Sequence, residues 1–128
     1  MIKKSIFKAY DIRGKYPKEL NEEAVFEIAS ALGRHFGPKS RLLVGRDGRL
    51  SSPSLFKSVL KGLGKDLEII DGELMTTPML YFLVNELKAD GGIMVTASHN
   101  PKEYNGLKVV GKNARPVSGS EILKLMNL

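Results

Sequence analysis

Apolar positions along the 128 residues alternate between strand-like and helix-like spacing. Val25, Ile28, Ala29, Leu32 and Phe36 recur at helical intervals, which predicts a helix from about Asn21 to Phe36. Asn21 suits the N-cap, Glu22 and Glu23 suit the positive end of the helix dipole, and Gly37-Pro38 stops it. Leu55, Phe56, Val59, Leu60 and Leu63 mark a second helix, capped by Ser51 or Ser52, with Pro53 tolerated in its first turn. Gly62 and Gly64 end it. Leu80, Leu83, Val84 and Leu87 mark a third helix, opened by Thr77-Pro78. Short apolar runs between them read as strands: Arg41 to Val44, Leu67 to Ile70, Gly92 to Val95 and Leu107 to Val110. Ser5 to Tyr10 reads as a further short strand, closed by a turn through Asp11 to Gly14. Asp71-Gly72 reads as a loop, and Ser120 to Leu128 as a closing helix.

Alternating strands and helices with apolar strands predict a single α/β domain over residues 1–128. Its architecture is a three-layer α/β/α sandwich around a mostly parallel, mixed sheet. Folds of this kind bind ligands outside the carboxyl ends of their strands. The polar loops after Val44 and after Val95 both leave such ends, so they should share one rim.

Composition narrows the chemistry. The chain is 42% hydrophobic and 27% charged, a globular balance. It has no cysteine, which excludes disulfides, thiolate metal sites and cysteine nucleophiles. No apolar run is long enough to span a bilayer, and no basic-then-apolar leader is present, so we expect no membrane partner and a cytoplasmic location. Twenty basic residues against 14 acidic give a net charge of +6, which favours an anionic partner. A phosphorylated small molecule and nucleic acid both qualify. No aromatic stacking platform or basic recognition helix supports nucleic acid.

Several polar clusters stand out. Thr96 to Asn105 packs Thr, Ser, His, Asn and Tyr between two apolar strands. Long polar loops between core strands often carry function, although Ser98 and Asn100 also suit an ordinary turn. A Ser-His-Asp triad is disfavoured, because Ser98 lacks the Gly-x-Ser-x-Gly elbow and adjacent His99 points to the other side of an extended chain. The other histidine, His35, falls late in a helix. Gly106 to Lys112 imitates a P-loop, but Asn113 replaces the required Ser or Thr and the segment reads as a strand. Gly45-Arg46-Asp47-Gly48-Arg49 puts two cations in a glycine-permissive loop before a helix, fitting either an anion site or a solvated turn. Lys108 sits in an apolar strand and faces either solvent or a site. Thr76-Thr77-Pro78 caps the third helix. Asp47, Asp71 and Asp90 lack metal-ligand spacing.

Five segments in order carry a resemblance. They are Ala9-Tyr10-Asp11-Ile12-Arg13-Gly14, Val44-Gly45-Arg46-Asp47, Thr76-Thr77-Pro78, Thr96-Ala97-Ser98-His99-Asn100-Pro101 and Tyr104-Asn105-Gly106-Leu107-Lys108. Together they resemble the N-terminal domain of the α-D-phosphohexomutases, the phosphoglucomutase/phosphomannomutase family. The resemblance covers essentially the whole chain.

It implies that Ser98 is carried as a phosphoserine, which exchanges its phosphoryl group with a hexose 1- or 6-phosphate through a bisphosphorylated sugar. Lys108 would be a general acid/base and Arg13 a cationic neighbour of the phosphoserine. His99 and Asn100 would shape the loop, and Arg46 would be a further phosphate-binding cation. Phosphorylated Ser98 would give Mg²⁺ one ligand. We expect the family's other three domains, which bring the Asp-Gly-Asp-x-Asp metal loop, a sugar-specificity loop and a phosphate-binding loop, to be absent. The expected partners are a phosphosugar and those domains, and the chain alone should be nearly inactive. A basic nucleic-acid-binding module and a non-catalytic interaction remnant are the alternatives.

Overall fold

The computed structural model describes residues 2–127. Its sheet has six strands: β1 (Ile12–Lys15), β2 (Arg41–Arg46), β3 (Glu68–Leu74), β4 (Gly91–Val95), β5 (Tyr104–Val110) and β6 (Pro116–Val117). The helices are α1 (Glu22–Phe36), α2 (Ser52–Leu63), α3 (Thr77–Glu86) and α4 (Gly119–Met126). The strand order is β1-β5-β4-β2-β3. β2 runs parallel to both β3 and β4, whereas β5 is antiparallel to β4, β1 and β6. The sheet is therefore mixed: helices join the parallel strands β2, β3 and β4, whereas β5 makes the antiparallel pairings, including one with β1 from far earlier in the chain.

Side-chain alternation decides what each face holds. Leu42, Val44, Ile93, Val95, Leu107 and Val109 point to one face and form the main core with α1, α2 and Ile122 of α4. Leu43, Met94 and Val110 point to the other and pack under α3 through Leu80 and Val84. One face is thus covered by three helices and the other by α3 alone. α1 and α2 lie close because Gly62 of α2 sits against the Phe26 carbonyl and Ala29, leaving no room for a side chain.

The helix ends follow local chemistry. Asn21 accepts from the Ala24 amide at 2.9 Å at the start of α1, and Thr76 accepts from Met79 at 3.3 Å at the start of α3. Ser118 and Glu121 form a capping box on α4. Ser51 occupies the cap position of α2 but makes no side-chain cap bond there.

Three local expectations change. Ser5 to Tyr10 is not a strand: Lys4–Ile6 forms a 3-10 turn, and the strand is Ile12–Lys15, which takes up most of the segment read as a turn. Its register with β5, Ile12 opposite Leu107 and Arg13 opposite Gly106, comes from a partner far along the chain. β3 continues through Asp71-Gly72 to Leu74 as a charged edge strand, with a register shift where it passes Val44 and Gly45. The last helix ends at Met126, and Leu128 lies outside the described residues. No helix among the described residues is long and apolar enough to cross a membrane.

Candidate active site

The rim expected from the sequence exists. The Asp47 amide donates to the Val95 carbonyl at 3.0 Å, so the loop after β2 is stitched to the end of β4. Asp47 is the hub of that junction. Its carboxylate accepts from the Ser52 hydroxyl at 2.6 Å, the Thr96 hydroxyl at 2.7 Å and the Arg49 amide at 3.1 Å. Thr96 in turn accepts from the Ser98 amide at 3.0 Å. Arg49 reaches across and donates to the carbonyls of Ser98, Asn100, Pro101 and Tyr104 at 2.7–3.1 Å. Asn105, fully buried at the start of β5, donates to Ser51 and Ser52 and so ties that strand to the start of α2.

Ser98 is held at both its amide and its carbonyl by this network. Its φ of 54° lies in the left-handed region, unfavourable for a non-glycine residue by roughly 1–2 kcal/mol. The half-buried side chain makes no hydrogen bond among the described residues, so the hydroxyl is a free group on a tightly held backbone. It lines a groove of about 530 Å³ together with Asp47, Thr96, Met94, Thr76 and Thr77. The groove lies on the α3 face of the sheet.

Arg13 and Lys108 are on the same face. Lys108 stands opposite Met94, and Arg13 opposite Gly106, two residues before Lys108 on β5. Between them is Asp11, only 3% exposed. Asp11 forms an ion pair with Arg13, and its Oδ2 lies 3.7 Å from the Lys108 ammonium. Arg13 also donates to Asn100 Oδ1 at 2.5 Å, which joins this charged cluster to the Ser98 loop. Its Nε is buried and unpartnered among the described residues, a donor left over for an acceptor. Tyr81 of α3 faces the cluster: burial, then the Asp11 charge, push its phenol above the usual range.

The structure therefore brings Ser98, Asn100, Arg13 and Lys108 to one region. His99 is exposed to solvent on the same loop. Arg46 is not brought there. It shares the Val44 and Val95 face, and its guanidinium sits 5.9 Å over the Phe56 ring. Strand alternation sends it to the α2 side, opposite Lys108. Asp11, Asp47, Arg49 and Thr96 are the polar residues that motif reading left without a role. The available signal for Asp11 was its two-residue spacing from Arg13, which in extended chain points both side chains the same way.

A magnesium ion is implied by the family resemblance. The described residues hold no group of three or more His, Cys, Asp or Glu side chains able to bind a metal. Asp11, the nearest carboxylate to the cluster, is already neutralised by two cations. These residues do not by themselves build a magnesium site.

Residues 4–128 match the family model described as phosphoglucomutase/phosphomannomutase, alpha/beta/alpha domain I. A phosphomannomutase of Salmonella typhimurium LT2 is 44% identical over 125 residues, covering 97% of this chain and 27% of that protein. A phosphomannomutase of Klebsiella pneumoniae is also 44% identical over 125 residues, and there the match covers 79% of the relative. A crystal structure of a phosphoglucomutase/phosphomannomutase family protein from Burkholderia thailandensis superposes with a TM-score of 0.86 at 37% identity, covering 99% of this chain and 30% of that one. The chain thus spans little more than a quarter of the length of several relatives that it matches. With fold, motifs and relatives in agreement, the chain belongs to the phosphoglucomutase/phosphomannomutase family, as its α/β/α domain I.

Proposed function

We propose that this domain carries the phosphoryl group of a phosphohexomutase on Ser98, and that hexose 1-phosphate and hexose 6-phosphate interconvert through a bisphosphorylated sugar. One observation supports it above the others: a free, half-exposed serine hydroxyl held in a left-handed backbone, on a loop that Arg13 ties to the Lys108 cluster. Phosphoryl transfer is mostly positioning and charge stabilisation. A phosphoserine carries roughly −1.5 to −2 charges. Asp11, Arg13 and Lys108 together carry a net single positive charge, so the cluster attracts that anion without an isolated excess of cations.

In the forward step a sugar hydroxyl attacks the phosphorus. The sugar oxygen–phosphorus bond forms, the bond from phosphorus to Ser98 Oγ breaks, and the Ser98 oxygen takes up a proton. Lys108 serves as the acid/base for these protons, and Arg13 steadies the charge on the phosphoryl oxygens. The reverse step returns the sugar's other phosphoryl group to Ser98. His99 and Asn100 shape the loop around it. Phosphorylated Ser98 would offer Mg²⁺ one oxygen ligand, and the remaining ligands would have to come from the family's other domains. Those domains and the phosphosugar are the partners in this scheme, and a cytoplasmic location goes with it. Nucleic acid has no part in it.

The lone chain should be nearly inactive as a mutase. A chimaera in which residues 4–128 replace the matching part of a full-length phosphomannomutase relative is expected to turn over hexose phosphates. The 128-residue chain should turn over slower by about a thousandfold or more. A folded chimaera without turnover would count against the proposal.

A further inference from the structure

We propose that Arg49 is a positioning residue, holding Ser98 in its reactive geometry while touching neither phosphate nor sugar. This role presupposes the phosphoserine chemistry proposed for Ser98. An arginine in a glycine-rich loop before a helix suggests an anion-binding group, and the hydrogen bonds assign it otherwise. A guanidinium has five N–H donors. Nη1 faces the carbonyls of Pro101 at 2.7 Å and Tyr104 at 3.1 Å. Nη2 faces those of Ser98 at 3.0 Å and Asn100 at 2.7 Å. Nε lies 3.3 Å from Asp47 Oδ2. The two Nη groups are hydrogen-bonded to four loop carbonyls, Nε makes an ion-pair contact with Asp47, and the side chain is only 14% exposed. No Nη nitrogen is left without a protein partner to take a phosphate oxygen.

The contacts also close a ring through Ser98. Its amide donates to Thr96, Thr96 donates to Asp47, Asp47 holds Arg49, and Arg49 donates to the Ser98 carbonyl. Both peptide groups flanking the left-handed residue are therefore fixed, and so is the loop from Ser98 to Tyr104. Without the ring, Ser98 can relax to an ordinary negative φ and move its hydroxyl. Lysine cannot replace this arginine, because an ammonium is a compact point charge and does not span four carbonyls in a plane.

The test uses the 128-residue chain as wild type, Arg49→Lys and Arg49→Ala. Amide hydrogen exchange is followed by NMR at Ser98, Asn100 and Tyr104, with β4 as internal reference. In Arg49→Lys the loop amides are expected to exchange about tenfold faster or more, with β4 unchanged. The Ser98 Cα shift should move away from left-handed values. Single-turnover phosphorylation by hexose 1,6-bisphosphate is measured alongside on the same variants of the phosphomannomutase chimaera that carries residues 4–128. Its limiting rate should fall about a hundredfold in Arg49→Lys, with the half-saturating concentration within about threefold of wild type. If Arg49→Ala does not fold, Arg49→Lys decides alone. A normal loop and limiting rate in Arg49→Lys would overturn the proposal, and so would a rise in half-saturation at an unchanged limiting rate, the mark of a phosphate ligand. If the wild-type chimaera takes up no phosphoryl group, the phosphoserine scheme fails and the positioning role in catalysis is overturned with it, whatever the exchange data show.

Discussion

In the chimaera that carries residues 4–128, Ser98→Ala is expected to lower phosphoryl uptake from hexose 1,6-bisphosphate by more than about a thousandfold while leaving the fold intact. The two halves of this expectation have separate causes. In the proposed scheme the hydroxyl is the acceptor atom, so alanine removes the bond that would have to form. The same hydroxyl makes no hydrogen bond among the described residues, and the side chain is only half-buried. Its removal should change stability by no more than about 0.5 kcal/mol. Alanine keeps a Cβ, so the left-handed backbone is as strained as before. Intact-mass measurement of the phosphorylated fraction, with thermal melting as the fold control, checks both. Uptake by Ser98→Ala at the wild-type rate would place the acceptor elsewhere.

Asp11→Asn is expected to be the most destabilising polar change near the site. Asp11 is almost fully buried between the side chains of Arg13 and Lys108. Removing one charge of a buried ion pair leaves the partner uncompensated, at a cost of about 3–5 kcal/mol in a dry interior. Arg13 and Lys108 are about a quarter exposed, which tempers the cost to roughly 2–3 kcal/mol. For a chain of this length the melting temperature should fall by roughly 6–10 °C. Arg13 also loses the anchor that aims it at Asn100, so phosphoryl uptake should slow as well. Added salt should recover part of the lost stability, because it screens the two cations from each other. Urea and thermal melts at low and moderate salt measure it. A melting temperature within about 2 °C of wild type would show that the cluster is not held by Asp11.

The helices were legible because their apolar stripes and capping residues are local: Asn21, Thr76 and Gly37 act within a turn of their own helices. The strands β2 and β4 were legible as short apolar runs. β1 was not, since Asp11-Ile12-Arg13-Gly14 has turn composition and becomes a strand only by pairing with β5, more than ninety residues away. β3 was cut short at Asp71-Gly72 for a related reason. An edge strand tolerates charge and glycine that a central strand does not. That the two loops at strand ends share one rim was legible. The different placements of Arg46 and Arg49 were not, because they depend on which face each side chain takes. Arg46 continues the β2 alternation to Phe56, whereas Arg49 lies past the strand and turns back across the loop. Asp11 and Asp47 are hubs only once register brings their partners together.

A pulse–chase experiment most directly tests whether Ser98 holds a phosphoryl group reversibly. The chimaera that carries residues 4–128 is labelled with radioactive phosphoryl from hexose 1,6-bisphosphate in the presence of Mg²⁺, freed of small molecules and chased with hexose 6-phosphate. The label is expected to sit on the peptide containing Ser98 and to pass to the sugar as hexose bisphosphate during the chase. Label on another serine, or label on Ser98 that no hexose phosphate removes, would contradict that role.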